Sequence, residues 1–303
     1  MTAATREQFA RLPRPLLWVI AVRLKTIGLS LTPVLCGTWL AAKVTAVDPY
    51  LAVLAGLAAA AIQIGTNLWN DAADADRGTD TEERLGPPRM TALGLLDSRT
   101  VKRAALLSFA AAVLAGLPLV LAGGWPILAV GIASLSLGHA YSMGPLPLSH
   151  TPLGEIIVFF FFGVVAVAGT AFVLGASLSA PVLTAGAMIG LPSSAVLLLN
   201  NHRDRLTDAR AGRRTLAILI GETGARVLYG ILLLAAAAIL PVLLPETPFA
   251  LALTALAAAV ALMLAAAHWR TPVSRSINRY LPLTVLYQFA LFAIIALTGG
   301  TAP

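Results

Sequence analysis

The stretch Asn67–Arg89 reads NLWNDAADADRGTDTEERLGPPR and follows a long apolar run, Leu51–Ile64. Asn67, Asn70, Asp71 and Asp74 recur at spacings of three and four, which on a helix places them on one face. Carboxylates gathered in this way repel one another unless positive charge sits between them. Oxygen ligands completed by substrate phosphate are the usual way of holding Mg2+. A solvated acidic loop after a membrane helix is the plainer alternative, and this stretch alone leaves it open.

A second stretch weighs against coincidence. Asn200–Thr215 reads NNHRDRLTDARAGRRT and again follows an apolar run. Asn70-x-x-x-Asp74 is matched by Asn200-x-x-x-Asp204, and Asp208 adds one more turn on the same face. Two acidic helix faces, each with its own arginines, suggest one site closed by two halves of the chain. The match is a weak internal repeat, because the flanking sequences align poorly.

The 303 residues are 58% hydrophobic and 12% charged. A soluble domain carries about a quarter charged residues, so the composition points to a polytopic membrane protein. Nine apolar runs of membrane length lie at about 17–42, 50–71, 102–122, 125–142, 153–175, 181–201, 223–245, 248–268 and 280–299. The expected fold is an all-α membrane helix bundle forming a single domain over residues 1–303. The tail 1–16 and the loops 72–101 and 202–222 are expected on the cytoplasmic side. The single cysteine excludes an internal disulfide, and the four histidines lack zinc-site spacing. There is no phosphate-binding P-loop and no GxGxxG. The N-terminus lacks a signal-peptide apolar region before Pro15, so insertion is expected to use the mature helices. The net charge of +7 does not indicate nucleic acid, because the basic residues flank apolar spans rather than lining a polar domain.

These residues resemble the UbiA superfamily of intramembrane prenyltransferases, most strongly the branch that prenylates 1,4-dihydroxy-2-naphthoate on the way to menaquinone. The likeness is carried by QIGTNLWNDAADADRGTD at Gln63–Asp80, ERLGPPR at Glu83–Arg89, YSMGPLPL at Tyr141–Leu148, PLGE at Pro152–Glu155, NNHRDRLTDARAGRRTL at Asn200–Leu216 and RLKT at Arg23–Thr26. It spans nearly the whole chain with its motifs in order. Three positions depart from the family pattern. Gly78 stands where a third aspartate is general, Arg213 where the branch has lysine, and Leu24 where many members have proline.

The resemblance implies transfer of a polyprenyl group from its diphosphate to the naphthoate in a bacterial inner membrane. Demethylmenaquinol forms, with loss of CO2 and diphosphate. Asp71, Asp74, Asp204 and Asp208, with Asn70, are the expected Mg2+ ligands and catalytic groups; helix capping at the membrane surface is the alternative. Asn67, Arg77, Asp80, Arg89, Arg203 and Arg213 are expected around the diphosphate, since guanidinium forks match phosphate oxygens. Basic loop residues also serve simply as topology signals. Arg23, Lys25, Tyr141, Ser142, Glu155, Asn200 and Asn201 are expected around the acceptor. For Glu155 a helix-start acid, and for Tyr141 an interfacial aromatic, are the alternatives. The polyprenyl tail is expected between helices open to membrane lipid. Other aromatic acceptors, 4-hydroxybenzoate or a phytyl-accepting quinone precursor, stay open at this stage. So does a transporter with an acidic cation site, although the acids cluster at one membrane face.

With a cytoplasmic N-terminus, the tail and the three connections after spans two, six and eight hold 18 of the 21 Lys and Arg residues. That is the positive-inside pattern, and it places the C-terminus outside. Single cysteines at Lys43 and Thr100 should therefore react with an impermeant thiol reagent from opposite sides of the membrane. Labelling of both from the cytoplasm would reject this topology.

Overall fold

The computed structural model of the chain describes residues 3–78, 85–141 and 147–300, without the side chains of residues 3–5 and Lys25. Among the described residues it is helical, with no strand. Two short helices, α1 (Ala3–Ala10) and α2 (Arg14–Val22), lead through a 3-10 turn at Leu24–Thr26 into α3 (Ile27–Ala42). The sequence reads this region as a run from 17 to 42 in which Arg23 and Lys25 mark either a preceding interfacial helix or cations facing a polar interior. The chain breaks at Arg23, between the short α2 and α3, and Arg23 adopts left-handed φ 57° and ψ 55°.

Next comes α4 (Pro49–Asp76), capped by the Asp48 carboxylate on the Tyr50 N–H at 2.8 Å. The following helix, α5 (Ser98–Ala140), has 43 residues. Unbroken it would be about 65 Å long, twice the roughly 30 Å of a bilayer core. It is broken at Gly124 (φ 67°, ψ −155°), with Pro126 starting the second leg. A Cβ on Gly138 would lie 3.8 Å from the Phe109 ring, so the second leg returns alongside the first.

A bent span follows. It comprises α6 (Gly154–Phe159), a π-helical turn at Phe160–Val165 and α7 (Ala166–Val173). Then come α8 (Ala180–Arg210), α9 (Leu216–Leu243), α10 (Pro248–Trp269), a 3-10 turn at Arg275–Arg279 and α11 (Tyr280–Leu297). By length and composition seven described helices can cross a membrane, or eight if α2 and α3 form one bent span. Counting the two legs of α5 separately brings the described spans to the nine read from the sequence.

The central element is α8. Its apolar window is 72% buried, against 39% at most in the other six unpaired spans. Lipid offers no hydrophobic drive for helices to associate, so close backbone packing of small residues has to supply contact. Here Gly163 in the π turn meets Gly186 and Gly190 of α8. A Cβ on Gly163 would fall 2.4 Å from the Gly190 Cα. The contact holds the bent α6–α7 span against the helix that carries the second motif. A separate apolar cluster of Leu17, Leu68, Trp69, Met90, Leu93 and Val101 packs α2, the end of α4 and the start of α5 together.

Gly163→Val has no room against backbone and should destabilise the protein by roughly 1–3 kcal/mol, the usual cost of overpacking. The measurement is the thermal unfolding midpoint in detergent. Gly116→Ala, which meets nothing within 4 Å, is the control expected to unfold near the wild-type temperature.

Candidate active site

Both motifs ride on helices that continue beyond their apolar runs. α4 runs to Asp76, past the read end at 71, and α8 runs to Arg210, past 201. Each then stops at a glycine of positive φ, Gly78 (65°) and Gly212 (75°). Glycine just past a helix end accepts this left-handed geometry without a Cβ penalty.

The two motif faces meet in a polar cavity of about 110 Å3. Asp74 is gripped by Arg89, and its Oδ1 lies 3.4 Å from Arg213 Nη2. Arg213 also reaches Asp208, 3.2 Å away. One guanidinium therefore spans from the first motif to the second, across 139 residues of sequence. Arg89 further donates to the Asn70 carbonyl (3.4 Å) and to its Oδ1 (3.5 Å). On the opposite wall, Arg203 Nε and Nη2 clasp the two oxygens of Asp204, and Nη1 donates to Asn200 Oδ1 at 2.8 Å. The Arg89 and Asp74 side chains are each only 5% exposed. Breaking a buried pair costs on the order of 3–5 kcal/mol where no other partner remains; here Arg213 still reaches Asp74 when Arg89 is removed, so the loss is smaller.

Not every expected residue lines this cavity. Arg23, Asn70, Asp74, Arg89, Tyr141, Asn200, Asn201, Arg203, Asp204, Asp208 and Arg213 do. Asp71, an expected metal ligand, is buried but falls outside the lining, one residue round the helix from Asn70. Asn67, expected at the diphosphate, turns its amide to the Val22 carbonyl (3.0 Å) and Thr26 (3.1 Å), tying α4 to the break at Arg23. Arg77, also expected at the diphosphate, is exposed at the end of α4 and lies outside the lining. Arg203, likewise assigned to the diphosphate, has its guanidinium committed to neighbouring side chains. Glu155, expected at the acceptor, stands behind the wall and accepts from Asn201 Nδ2 at 2.8 Å. Asp80 and Ser142 lie outside the described residues, as does the side chain of Lys25.

Arg23 is the only non-glycine residue with positive φ among the described residues. That conformation costs a side-chain-bearing residue roughly 1–2 kcal/mol. It places Arg23 in the lining of both the polar cavity and a larger one beside it. Tyr141 also lines both.

The second cavity, about 490 Å3, is mostly apolar and runs between α3, α4, α5, the π turn and α8. It shares Arg23, Asn70, Tyr141, Leu197 and Asn200 with the polar cavity. Phe161, Phe162 and Val165 line it from the π turn. An extra residue in a helical turn shifts the faces that follow, and here aromatic rings face the cavity while Gly163 faces α8.

Several lining or supporting residues have no role assigned from the sequence. Ser149 and Thr207 line the polar cavity. Gln63 donates to Asn67 at 3.3 Å. Asn278, in the turn before α11, accepts from Arg203 at 2.6 Å. It reads in sequence only as a polar residue between arginines.

Asn70, Asp74, Asp204 and Asp208 bring only oxygen donors into the cavity, which suits a hard cation such as Mg2+. Among the described residues no three carboxylate, imidazole or thiol groups converge closely enough to hold an ion by themselves. The donor set therefore fits a cation that takes one or two carboxylates from the protein and the rest of its shell from substrate phosphate.

Fold and site together define a class: an all-helical integral membrane protein with a phosphate-matching polar cavity opening onto an apolar one. The chain belongs to the UbiA prenyltransferase family, whose model matches residues 30–300. It is 38% identical over 232 residues to the 1,4-dihydroxy-2-naphthoate octaprenyltransferase of Mycobacterium tuberculosis, covering 77% of this chain and 79% of that one. The enzyme of the same name from Escherichia coli is 33% identical over 236 residues, 76% of each chain. Among solved structures, a UbiA homolog from Archaeoglobus fulgidus bound to DMAPP and Mg2+ superposes with a TM-score of 0.63 at 15% identity. The match covers 91% of this chain and 99% of that one. An apo UbiA homolog from Aeropyrum pernix K1 gives 0.63 at 20% identity over 88% and 97%. At these identities the structures share the helical fold.

Asp74→Asn and Asp204→Asn should each lower turnover at least about a hundredfold, a loss near 2.7 kcal/mol of transition-state stabilisation. Their losses should be far from additive, since both act on one site. Asp76 lies outside the cavity, bonded to Ser98 (2.7 Å) and Lys102. Asp76→Asn is the control expected near the wild-type rate. Rates compared at equal membrane protein decide it; a near-normal rate for either motif variant removes the two-motif site.

Proposed function

We propose that this protein transfers a polyprenyl group from polyprenyl diphosphate to 1,4-dihydroxy-2-naphthoate, giving demethylmenaquinol with release of CO2 and diphosphate. The observation that carries the reading is the junction of the two cavities. A cavity rich in arginine and carboxylate opens, past Arg23, Asn70, Tyr141 and Asn200, onto a long apolar one. That shape suits an amphiphile with a phosphate head and a hydrocarbon tail. The relatives at 33–38% identity carry the name of this reaction.

The charged groups of the polar cavity are already paired with one another, so substrate entry is an exchange. Arg89 and Arg213 turn from Asp74 and Asp208 to the diphosphate oxygens. Asp74, Asp204 and Asp208, with Asn70, turn to the cation. Mg2+ there supplies charge neutralisation of the leaving diphosphate. Arginines fixed by burial aim positive charge where negative charge develops on the leaving oxygens, at little reorganisation cost. The allylic cation left behind sits at the cavity junction, where the electron-rich acceptor ring attacks it; the new C–C bond forms and the acceptor carboxylate departs as CO2, restoring the aromatic ring. The apolar walls keep water from competing for that cation.

Acceptor groups are assigned by chemistry. Arg23, at the junction, takes the acceptor carboxylate. A carboxylate only accepts hydrogen bonds, so Glu155 fixes the Asn201 amide N–H2 toward itself. Asn201 therefore offers its carbonyl oxygen to the cavity, where it receives an acceptor hydroxyl. Tyr141 stacks or donates at the same junction.

The chain acts as one domain in a bacterial inner membrane, with both motifs and the N-terminus cytoplasmic and the C-terminus outside, a placement the cation distribution favours. Membranes containing the protein, supplied with octaprenyl diphosphate and the naphthoate, should release demethylmenaquinol only while Mg2+ is present. 4-Hydroxybenzoate supplied in its place should give no prenylated product. Product that persists after thorough chelation overturns the cation assignment; prenylated hydroxybenzoate overturns the acceptor assignment.

A further inference from the structure

We infer that Asn278 is a positioning residue that couples the two halves of the site, holding Arg203 of the second motif to the loop that carries Arg89. Asn278 lies in the 3-10 turn Arg275–Arg279 and does not line the polar cavity. Its Oδ1 accepts from Arg203 Nη1 at 2.6 Å, and its Nδ2 donates to the Leu85 carbonyl at 3.0 Å. The amide orientation follows from its partners. A guanidinium only donates and a backbone carbonyl only accepts, so Oδ1 must face Arg203 and Nδ2 must face Leu85.

Each end of this bridge leads to a cavity group. Arg203 orients Asp204 by a two-point clasp and Asn200 by a single bond. Leu85 begins the segment Leu85-Gly-Pro-Pro-Arg89, in which two prolines fix their φ angles and limit slack. Arg89 then grips Asp74 and Asn70. The path Asp204–Arg203–Asn278–Leu85–Arg89–Asp74 thus joins the half-sites by a second route, beside Arg213, which joins them directly. Two struts set a spacing more firmly than one. A diphosphate gripped from both half-sites depends on that spacing, whereas the acceptor pocket is held by contacts outside the path, Asn67 on the Val22 carbonyl beside Arg23 and Glu155 on Asn201.

Asn278→Asp separates the two bonds. The carboxylate still accepts from Arg203 but has no proton to donate to the Leu85 carbonyl. Asn278→Leu, of similar size, loses both. The inference rests on the proposed reaction. Its test is calorimetric binding of a non-reacting prenyl thiodiphosphate to the purified full-length chain with Mg2+, beside kcat and KM for each substrate. Asn278→Asp should bind the analogue about tenfold more weakly, the scale seen when supporting partners of a site are removed. The acceptor KM should stay within about twofold, the range of independent sites. On an Arg89→Lys background the same change should add less than about twofold, because that background already breaks the path.

Unchanged analogue affinity in Asn278→Asp overturns the coupling, as does a loss that falls on the acceptor KM or adds fully to Arg89→Lys. If Asn278→Leu fails to accumulate in the membrane, the isosteric aspartate variant decides alone. Wild-type protein that does not bind the analogue overturns the reaction itself, and the coupling with it.

Discussion

Burying opposite charges at the end of a membrane bundle is the constraint on which the rest of the structure depends. Taking a carboxylate and a guanidinium out of water costs several kcal/mol per ion, repaid only when partners and geometry are close to ideal. Here Asp74, Asp204 and Asp208 are each met by an arginine, and Arg213 serves two of them. Each half of the site pairs its own carboxylates, Asp74 with Arg89 and Asp204 and Asp208 with Arg203 and Arg213. The contact of Arg213 with Asp74 joins the two halves into one paired cluster that substrate charges can enter by exchange.

That cluster needs rigid support, and the packing provides it. α8 is the most enclosed span and carries the whole second motif. Glycines 186 and 190 let the π turn of the neighbouring span press against it. The same turn faces Phe161 and Phe162 into the apolar cavity. One irregularity thus serves both the helix contact and the wall of the tail cavity. The left-handed Arg23 is a second irregularity at the same junction. Its neighbour across the gap, Asn67, uses its amide to hold the broken backbone at Val22.

A polar cavity beside an apolar one also accounts for selectivity of outcome. An allylic cation formed near water would be lost to hydrolysis. Held between apolar walls and facing an aromatic ring, it has one efficient partner. The buried arginines and carboxylates confine the polar chemistry to one end, away from the apolar run of the bundle.

The amino-acid sequence by itself determined the class of fold, the spans and the two motif faces. Those properties are local: apolar length, helical spacing and the placement of Lys and Arg beside spans. Asn70, Asp74, Asn200, Asp204 and Asp208 were legible because spacings of four survive any helix packing. Only the tertiary structure decided which of these side chains converge. Asp71 belongs to the same motif as Asp74 yet lies off the cavity, because packing selects one face and Asp71 stands about 100° round the helix from Asn70; Arg77 shares the face of Asn70 but caps α4, which ends at Asp76. Glu155 stands behind Asn201, and Arg203 holds its own motif together, because hydrogen-bond partners come from α6 and from the turn before α11. The Arg213 bridge and the Asn278 strut join residues 139 and 193 positions apart. Nothing in the local pattern encodes such contacts; they exist only once the helices have packed.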